Sequence, residues 1–299
     1  MDDGTSICIL DLSKKLVVKK SNSWRIIKMK DSNITSLILI SFLATVTLPC
    51  VTYAEGDKQK QDKTGTNPIN FTKDFRIYNE YSWLNTDGDG NQNLTTAEFR
   101  TPFLGGKWQW RIRARYNAIN ADLNNDGSDD IDKSGFGDID MRFITVPYVN
   151  MAKKQAVAFG LELFLDTASD DALGSGANSL GPQIFYVKFL PNGLFAPGLQ
   201  YKFSVDKDKG RSDVDQVLID LNYLLMAEDK KSWFFTDPQI VIDNETDTEF
   251  AVVDFEFGWM MTNWTDLKGH SFYIRPSVGI GVDRPVDGSV EFGYKIVGW

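Results

Sequence analysis

From about Phe75 to the end of the chain, apolar and polar residues alternate in runs of roughly ten, with turn-rich pieces between them. Successive side chains on an extended strand point to opposite faces, so each run predicts a strand with one apolar and one polar face. The clearest is 108-WQWRIRARY-116. Trp108, Trp110, Ile112, Ala114 and Tyr116 share one face, and Gln109, Arg111, Arg113 and Arg115 the other. The same parity recurs in 199-LQYKFSV-205 and 271-SFYIRPSVGIGV-282. Long helical periodicity is missing from this region.

The pattern predicts twelve strands, at about 75–84, 94–104, 107–117, 136–147, 156–166, 182–190, 198–206, 213–225, 232–243, 248–260, 271–283 and 288–298. The expected fold is all-β: a single up-and-down antiparallel transmembrane β-barrel of about 12 strands over 75–299. An even count puts both termini on one side, the periplasmic side of a bacterial outer membrane. The odd-numbered connections then become outer loops. Those loops are acidic, with Asp87, Asp89, Asp122, Asp126, Asp129, Asp130 and Asp132 among them, and 118–135 and 167–181 are the longest. The inner turns carry Lys153, Lys154, Lys230 and Lys231. A soluble β-sandwich accounts for the alternation equally well, with the aromatic face as its core, but not for this split of charge.

The segment before the strands reads differently. Its apolar stretch 34-ITSLILISFLATVTL-48 is shorter than the roughly 20 residues a bilayer span needs. Lys28 and Lys30 precede it and 52-TYA-54 follows. This reads as a signal peptide with a start at Met29 and cleavage after Ala54, which makes 1–54 an N-terminal extension and signal peptide. A lipoprotein signal using Cys50 is the rival, and Pro49 fits it poorly. Residues 55–74 are polar and aperiodic, as expected of a flexible periplasmic tail.

Composition narrows the chemistry. Both cysteines, Cys8 and Cys50, precede the expected cut, so disulfide and thiolate chemistry is excluded from the mature chain. Residues 1–54 hold 7 Lys+Arg and 4 Asp+Glu, which leaves 25 basic and 37 acidic residues of the chain's 32 and 41. That acidic balance disfavours nucleic acid as a partner. The expected partners are the lipid bilayer and its lipopolysaccharide, the barrel-assembly machinery and a small-molecule solute. No cofactor is expected beyond Ca2+ in the outer loops.

That Ca2+ reading comes from 85-NTDGDGNQNLTTAEFR-100, where Asp87, Asp89 and Asn91 are spaced like EF-hand ligands and Glu98 lies eleven residues after Asp87. Gln92 stands where the sharp turn wants glycine, and no flanking helices are visible. Glu98 is expected on the strand wall, with Asp-Gly-Asp-Gly-Asn as a hairpin tip using positive φ. A looser oxygen site would add Asp122, Asn124 and Asp126, beside solvated acidic turns as the plainer account. Catalysis rests only on His270 beside Ser271, and adjacent residues of a strand point to opposite faces. The sharper candidate is the lumen. Arg111, Arg113, Arg115, Arg142, Lys202 and Arg275 are expected along one wall, and Glu80, Asp140, Glu162, Asp220 and Glu256 along the other. Opposed rows of charge create a transverse field that selects polar or anionic solutes.

The stretches 134-SGFGDIDMRF-143, 159-FGLELFLDTASDDALGSGANSLGPQ-183 and 199-LQYKFSV-205 resemble the outer-membrane barrel family known as MetA-pathway of phenol degradation, or simply as transporters. The resemblance spans 75–299 and is specific in 134–205. It implies an outer-membrane barrel linked to uptake of aromatic or hydrophobic compounds, and carries over no site residue. The end 290-VEFGYKIVGW-299 resembles an outer-membrane targeting signal, with Trp299 out of parity with Phe292, Tyr294 and Ile296. Taken together, the expected protein is a Gram-negative outer-membrane channel passing small organic solutes, and not an enzyme. The alternatives are a non-transporting structural or adhesion barrel with divalent-binding loops, and a secreted carbohydrate-binding sandwich.

Overall fold

The computed structural model describes residues 64–298, apart from 124, 126, 128 and 129, and three short strands ahead of them. Those strands, Ile7–Cys8, Lys15–Lys20 and Ser23–Lys28, form their own antiparallel sheet, a unit separate from the rest of the chain. The expected signal segment, its cleavage site and Trp299 lie outside the described residues.

The remaining strands close on themselves. They are β1 (Asp74–Leu84), β2 (Gly90–Phe103), β3 (Trp108–Ala121), β4 in two pieces (Ile131–Phe136 and Ile139–Asn150), β5 (Gln155–Leu165), β6 (Ala177–Leu190), β7 (Gly193–Lys207), β8 (Asp215–Met226), β9 (Ser232–Asp243), β10 (Thr248–Met260), β11 (His270–Ile280) and β12 (Val286–Val297). Each pairs antiparallel with the next, and β12 pairs with β1 from Val297↔Asp74 to Val286↔Leu84. The result is a closed up-and-down barrel of twelve strands. Closure leaves no unpaired edge, which is the condition for a sheet to cross lipid. The β-sandwich reading is thereby corrected: this alternation belongs to a wall, not to two packed sheets.

β4 is one wall strand interrupted at Gly137–Asp138. β3 pairs with both its pieces, Tyr116↔Phe136 outside the break and Arg113↔Asp140 inside it. Gly137 bridges the gap by donating its N–H to the Arg115 carbonyl at 3.0 Å.

Parity decides which face each residue takes. On β12, Phe292 is 60% exposed and Lys295 is 0% exposed. The outward face is apolar on nearly every strand, and aromatic residues mark both ends of it. Tyr81 and Trp83 (5.4 Å between ring centroids) and Tyr116 and Phe136 (5.8 Å) lie toward the outer loops. Phe103 with Trp108 (6.3 Å) and Trp264 with Phe272 (5.4 Å) lie toward the inner turns. These are the two aromatic girdles of a transmembrane barrel.

The inward face is not uniformly wet. Its inner half, toward the periplasmic turns, packs Ile144, Val146, Ala156, Ala158, Val187, Leu194, Ala196, Leu224 and Trp233 into an apolar cluster. Residues 64–73, read from the sequence as part of a tail, lie inside this end of the barrel. Ile69 and Phe71 pack on the cluster, and Thr64 and Thr72 are buried. The Gly65 carbonyl accepts from Arg76 and from Arg100, the latter at 3.2 Å, and the Thr72 carbonyl accepts from Gln109 at 3.1 Å.

Candidate functional site in the barrel lumen

The expected luminal residues Arg111, Arg113, Arg115, Arg142, Lys202, Arg275, Glu80, Asp140 and Glu162 all carry the inward parity of their strands. Their arrangement differs from two opposed rows. Arg111, Arg113 and Arg115 project from β3, and Asp140 stands on the adjacent β4. Asp140 takes Arg111 at 3.3 Å, Arg113 at 2.9 Å and Arg115 at 2.5 Å. Glu162 on β5 also takes Arg111, takes Arg113 at 3.1 Å, and accepts from Gln200 at 3.1 Å. Acid and base are therefore interleaved along one wall. Antiparallel pairing puts opposite charges side by side on neighbouring strands, where they neutralise each other before they can oppose across the pore.

Two further clusters contain residues of which the sequence pointed only to Glu98 on the strand wall and to Arg275 and Glu256 in the lumen. At the inner end of β1 and β2, Arg76 and Arg100 pair with Asp74 and Glu98, with Arg100 Nε at 2.6 Å from Glu98 Oε1. Glu98 is thus a wall residue, as its strand position implied, and no loop ligand. On the other side, Glu256 is buried among Arg275, Lys295 (2.8 Å) and the Trp233 indole N–H (2.6 Å), and Glu291 accepts from Tyr273 at 2.5 Å. These residues were findable: Arg76, Glu98, Arg100, Glu291 and Lys295 continue the inward parity of strands already recognised. Of the expected set, Lys202 sits over the Phe164 ring at 4.1 Å and Glu80 accepts from Ser289 at 2.5 Å.

Between these clusters lies a cavity of about 360 Å³. β3 and β4 contribute Arg111, Arg113 and Arg142 to it, and β8, β9 and β10 contribute Asp220, Asp237 and Asp254. Aromatic surface comes from Tyr78, Phe164, Phe185, Phe235 and Tyr273. Thr66 and Pro68 of the inserted segment form part of its floor. Asn67, Ile69 and Asn70 face a second cavity, of about 720 Å³, bounded by the inner turns. The segment is thus the partition between the two.

Large luminal side chains lie flat where a glycine faces them. Gln183 lies over Gly160, Gln200 over Gly181, Phe185 over Gly198, Trp233 over Gly258 and Tyr273 over Gly293. A Cβ at Gly160 would meet Gln183 Nε2 at 2.9 Å.

The other candidates separate in the structure. The two acidic turns do meet: Asp122 donates its N–H to the Asp89 carbonyl at 2.9 Å, and its carboxylate accepts from Gly127 at 2.9 Å. Asn91 instead belongs to β2, opposite Trp83. Asn124 and Asp126 lie outside the described residues, and among the described residues no three carboxylates or imidazoles are placed to hold a metal. The expected positive φ at the hairpin tip is corrected. Gly88 and Gly90 are not among the left-handed residues, and Gly88 serves close approach instead, since a Cβ there would lie 2.8 Å from the Asp122 carboxyl carbon. His270 contacts the Tyr294 hydroxyl on the outward face, whereas Ser271 is fully buried inward, so the two do not meet.

The family-like stretch has a structural role. Asp138 of 134-SGFGD-138 reaches loop 166–176. Its carboxylate accepts from Thr167 N (3.1 Å), Ala168 N (3.2 Å), Ser175 N (2.7 Å) and Ser175 Oγ (2.8 Å). Arg211 from the next outer loop donates to the Gly174 and Ser175 carbonyls at 2.5 and 3.2 Å. Leu173 is buried against Gly135, so the loop folds inward at the outer mouth.

The chain shares its fold with a solved outer-membrane barrel. The COG4313 outer membrane channel from Pseudomonas putida F1 superposes with a TM-score of 0.62 at 12% identity, over 81% of this chain and 100% of that one. The NanC porin gives 0.48 at 12% identity over 75% and 98%, and outer membrane phospholipase A from Escherichia coli gives 0.43 at 10% over 80% and 98%. No family model and no curated protein matches the sequence.

Proposed function

We propose that this protein is an outer-membrane channel that passes small organic solutes through its central cavity. The observation that carries this is a closed barrel whose middle holds a charged cavity of about 360 Å³ while its outward face is apolar and girdled by aromatic residues. A purely structural barrel of this size gains little from a charge-lined interior, since buried ion pairs cost about as much in desolvation as they return. Tyr78, Phe164, Phe185, Phe235 and Tyr273 give a ring somewhere to lie, which supports ring-bearing solutes and agrees with the family resemblance in 134–205.

A non-transporting barrel is the second reading, and the inserted segment with Ile69 and Phe71 on the apolar inner half favours it. Conductance separates the two. Protein extracted from membranes shifts between unboiled and boiled samples on a gel if it is a closed barrel. In planar bilayers the channel reading then expects discrete steps in KCl, and steadily sealed membranes would exclude it. In a conducting protein, Arg113→Ala with Arg115→Ala leaves Asp140 facing the pore with only Arg111, so the reversal potential moves toward cations. An unchanged reversal potential would remove this wall from the solute path.

A further inference from the structure

Not every luminal charge is matched. Among the described residues, Arg142, Asp220, Asp237 and Asp254 take part in no ion pair, although all four line the central cavity. Asp237 stands directly opposite Asp254 in the β9–β10 register, and Asp220 lies on β8 opposite Gln239. Like charges directly opposite on a sheet repel. Asp220 is 8% exposed with no hydrogen bond, and Asp237 accepts one from Gln239 while its Oδ1 has no partner. Arg142 attracts Asp220, and Arg275 attracts Asp237 and Asp254, without any of them closing to an ion pair, and buried carboxylates left this way are costly until a cationic group reaches them. The three do not converge on one point as ligands of a metal ion would, so the cation they suit is a larger one.

The facing wall shows the complementary deficit. Arg142 Nε has no acceptor. Gln183, which is 6% exposed, has an unpartnered amide Nε2. Because Gln183 lies flat over Gly160 of β5, its amide is carried toward β4, the strand that bears Arg142. Two buried donors without acceptors suit an anionic oxygen.

We infer that the cavity is a binding site for a small zwitterion, with its ammonium at Asp220, Asp237 and Asp254 and its carboxylate at Arg142 and Gln183. This rests on the channel reading only for its biological purpose; the site itself can be tested without conduction. A ring between the two charged ends would lie among Phe164, Phe185 and Phe235.

Three probes of similar size separate the charges: 4-(aminomethyl)benzoate, 4-methylbenzylamine and 4-methylbenzoate. Their affinities are measured calorimetrically on the protein as isolated from membranes in detergent, beside its conductance in KCl. The zwitterion is expected to bind at least about tenfold more tightly than either singly charged analogue. Asp220→Asn and, separately, Asp254→Asn erase its advantage over 4-methylbenzoate, whose retained binding shows that each variant is folded. Arg142→Gln erases its advantage over 4-methylbenzylamine. Equal binding of all three probes, or none, overturns the site. If the preference appears in a protein that does not conduct, the site stands and the channel reading falls. If the protein conducts without the preference, the channel reading stands and the site falls.

Discussion

At the scale of single residues, Asp140 is the pivot of the basic wall. It is 1% exposed and meets three guanidinium groups. Asp140→Asn would leave Arg111 and Arg113 to share Glu162 and Arg115 with only the Asp138 carbonyl, and breaking a buried pair from one side costs about 3–5 kcal/mol. We expect a correspondingly lower urea midpoint in detergent micelles, and a midpoint within experimental error of the native one would show that the cluster is hydrated enough to be neutral in effect. The individual luminal residues were legible from parity alone, because a strand has only two faces. Their partners were not. Which acid meets which arginine depends on register, and a single chain read alone contains no record of register. Asp237 was missed for a related reason: β9 carries aromatic residues on both faces, Trp233 and Phe235 inward and Phe234 outward, so the polar face could not be told by contrast, whereas Asp254 was legible, two residues before Glu256 on the same face of β10.

At the scale of elements, all twelve strands were visible in the sequence, and the misjudged boundaries lie mostly at the outer ends. β2 begins at Gly90, β4 at Ile131 and β6 at Ala177, each several residues before the apolar alternation does. There both faces meet water, so pairing continues while the hydrophobic signal stops. The motif 134-SGFGD-138 is explained at this scale too, as the clamp on loop 166–176. Asp138→Ala removes four accepted hydrogen bonds. We expect protease cleavage within 166–176 while the boiled and unboiled gel shift is kept; resistance of the loop would assign the clamp to Arg211 instead. Acid should loosen the same loop. The Ala172 N–H and the Lys133 ammonium hold Asp170 below the usual carboxylate range. Its contribution is present above the ordinary value of about 3.9 and is lost as pH falls through the depressed one. Asp166, raised by burial and by Asp138 and Asp208, acts the other way, its repulsion easing as it protonates at higher pH. Pepsin cleavage of the loop should therefore rise only at the acid end of a titration from about pH 5 to 2.

At the scale of the whole molecule, the barrel is assembled around its own N-terminal segment. A chain beginning at Lys73 loses the Gly65 carbonyl from Arg76 and Arg100 and uncovers the apolar inner cluster. Charge-assisted hydrogen bonds contribute about 1.5–3 kcal/mol, and each buried Ile or Phe a similar amount, so this truncation should unfold at clearly lower urea; no change would mean the segment leaves the lumen in membranes. The segment's position was hidden in the sequence because polar, aperiodic residues look alike in water and in a wet pore. The paired glycines carry one more consequence. Each lets a bulky neighbour recline against the wall, so the calibre of the lumen is set by residues that have no side chain. Adding one carbon at Gly181, where a Cβ would stand 2.9 Å from Gln200 Nε2, should tip that side chain toward the axis and narrow the aperture. Gly181→Ala is therefore expected to lower unitary current without touching a single charge, as a diaphragm dims a lens.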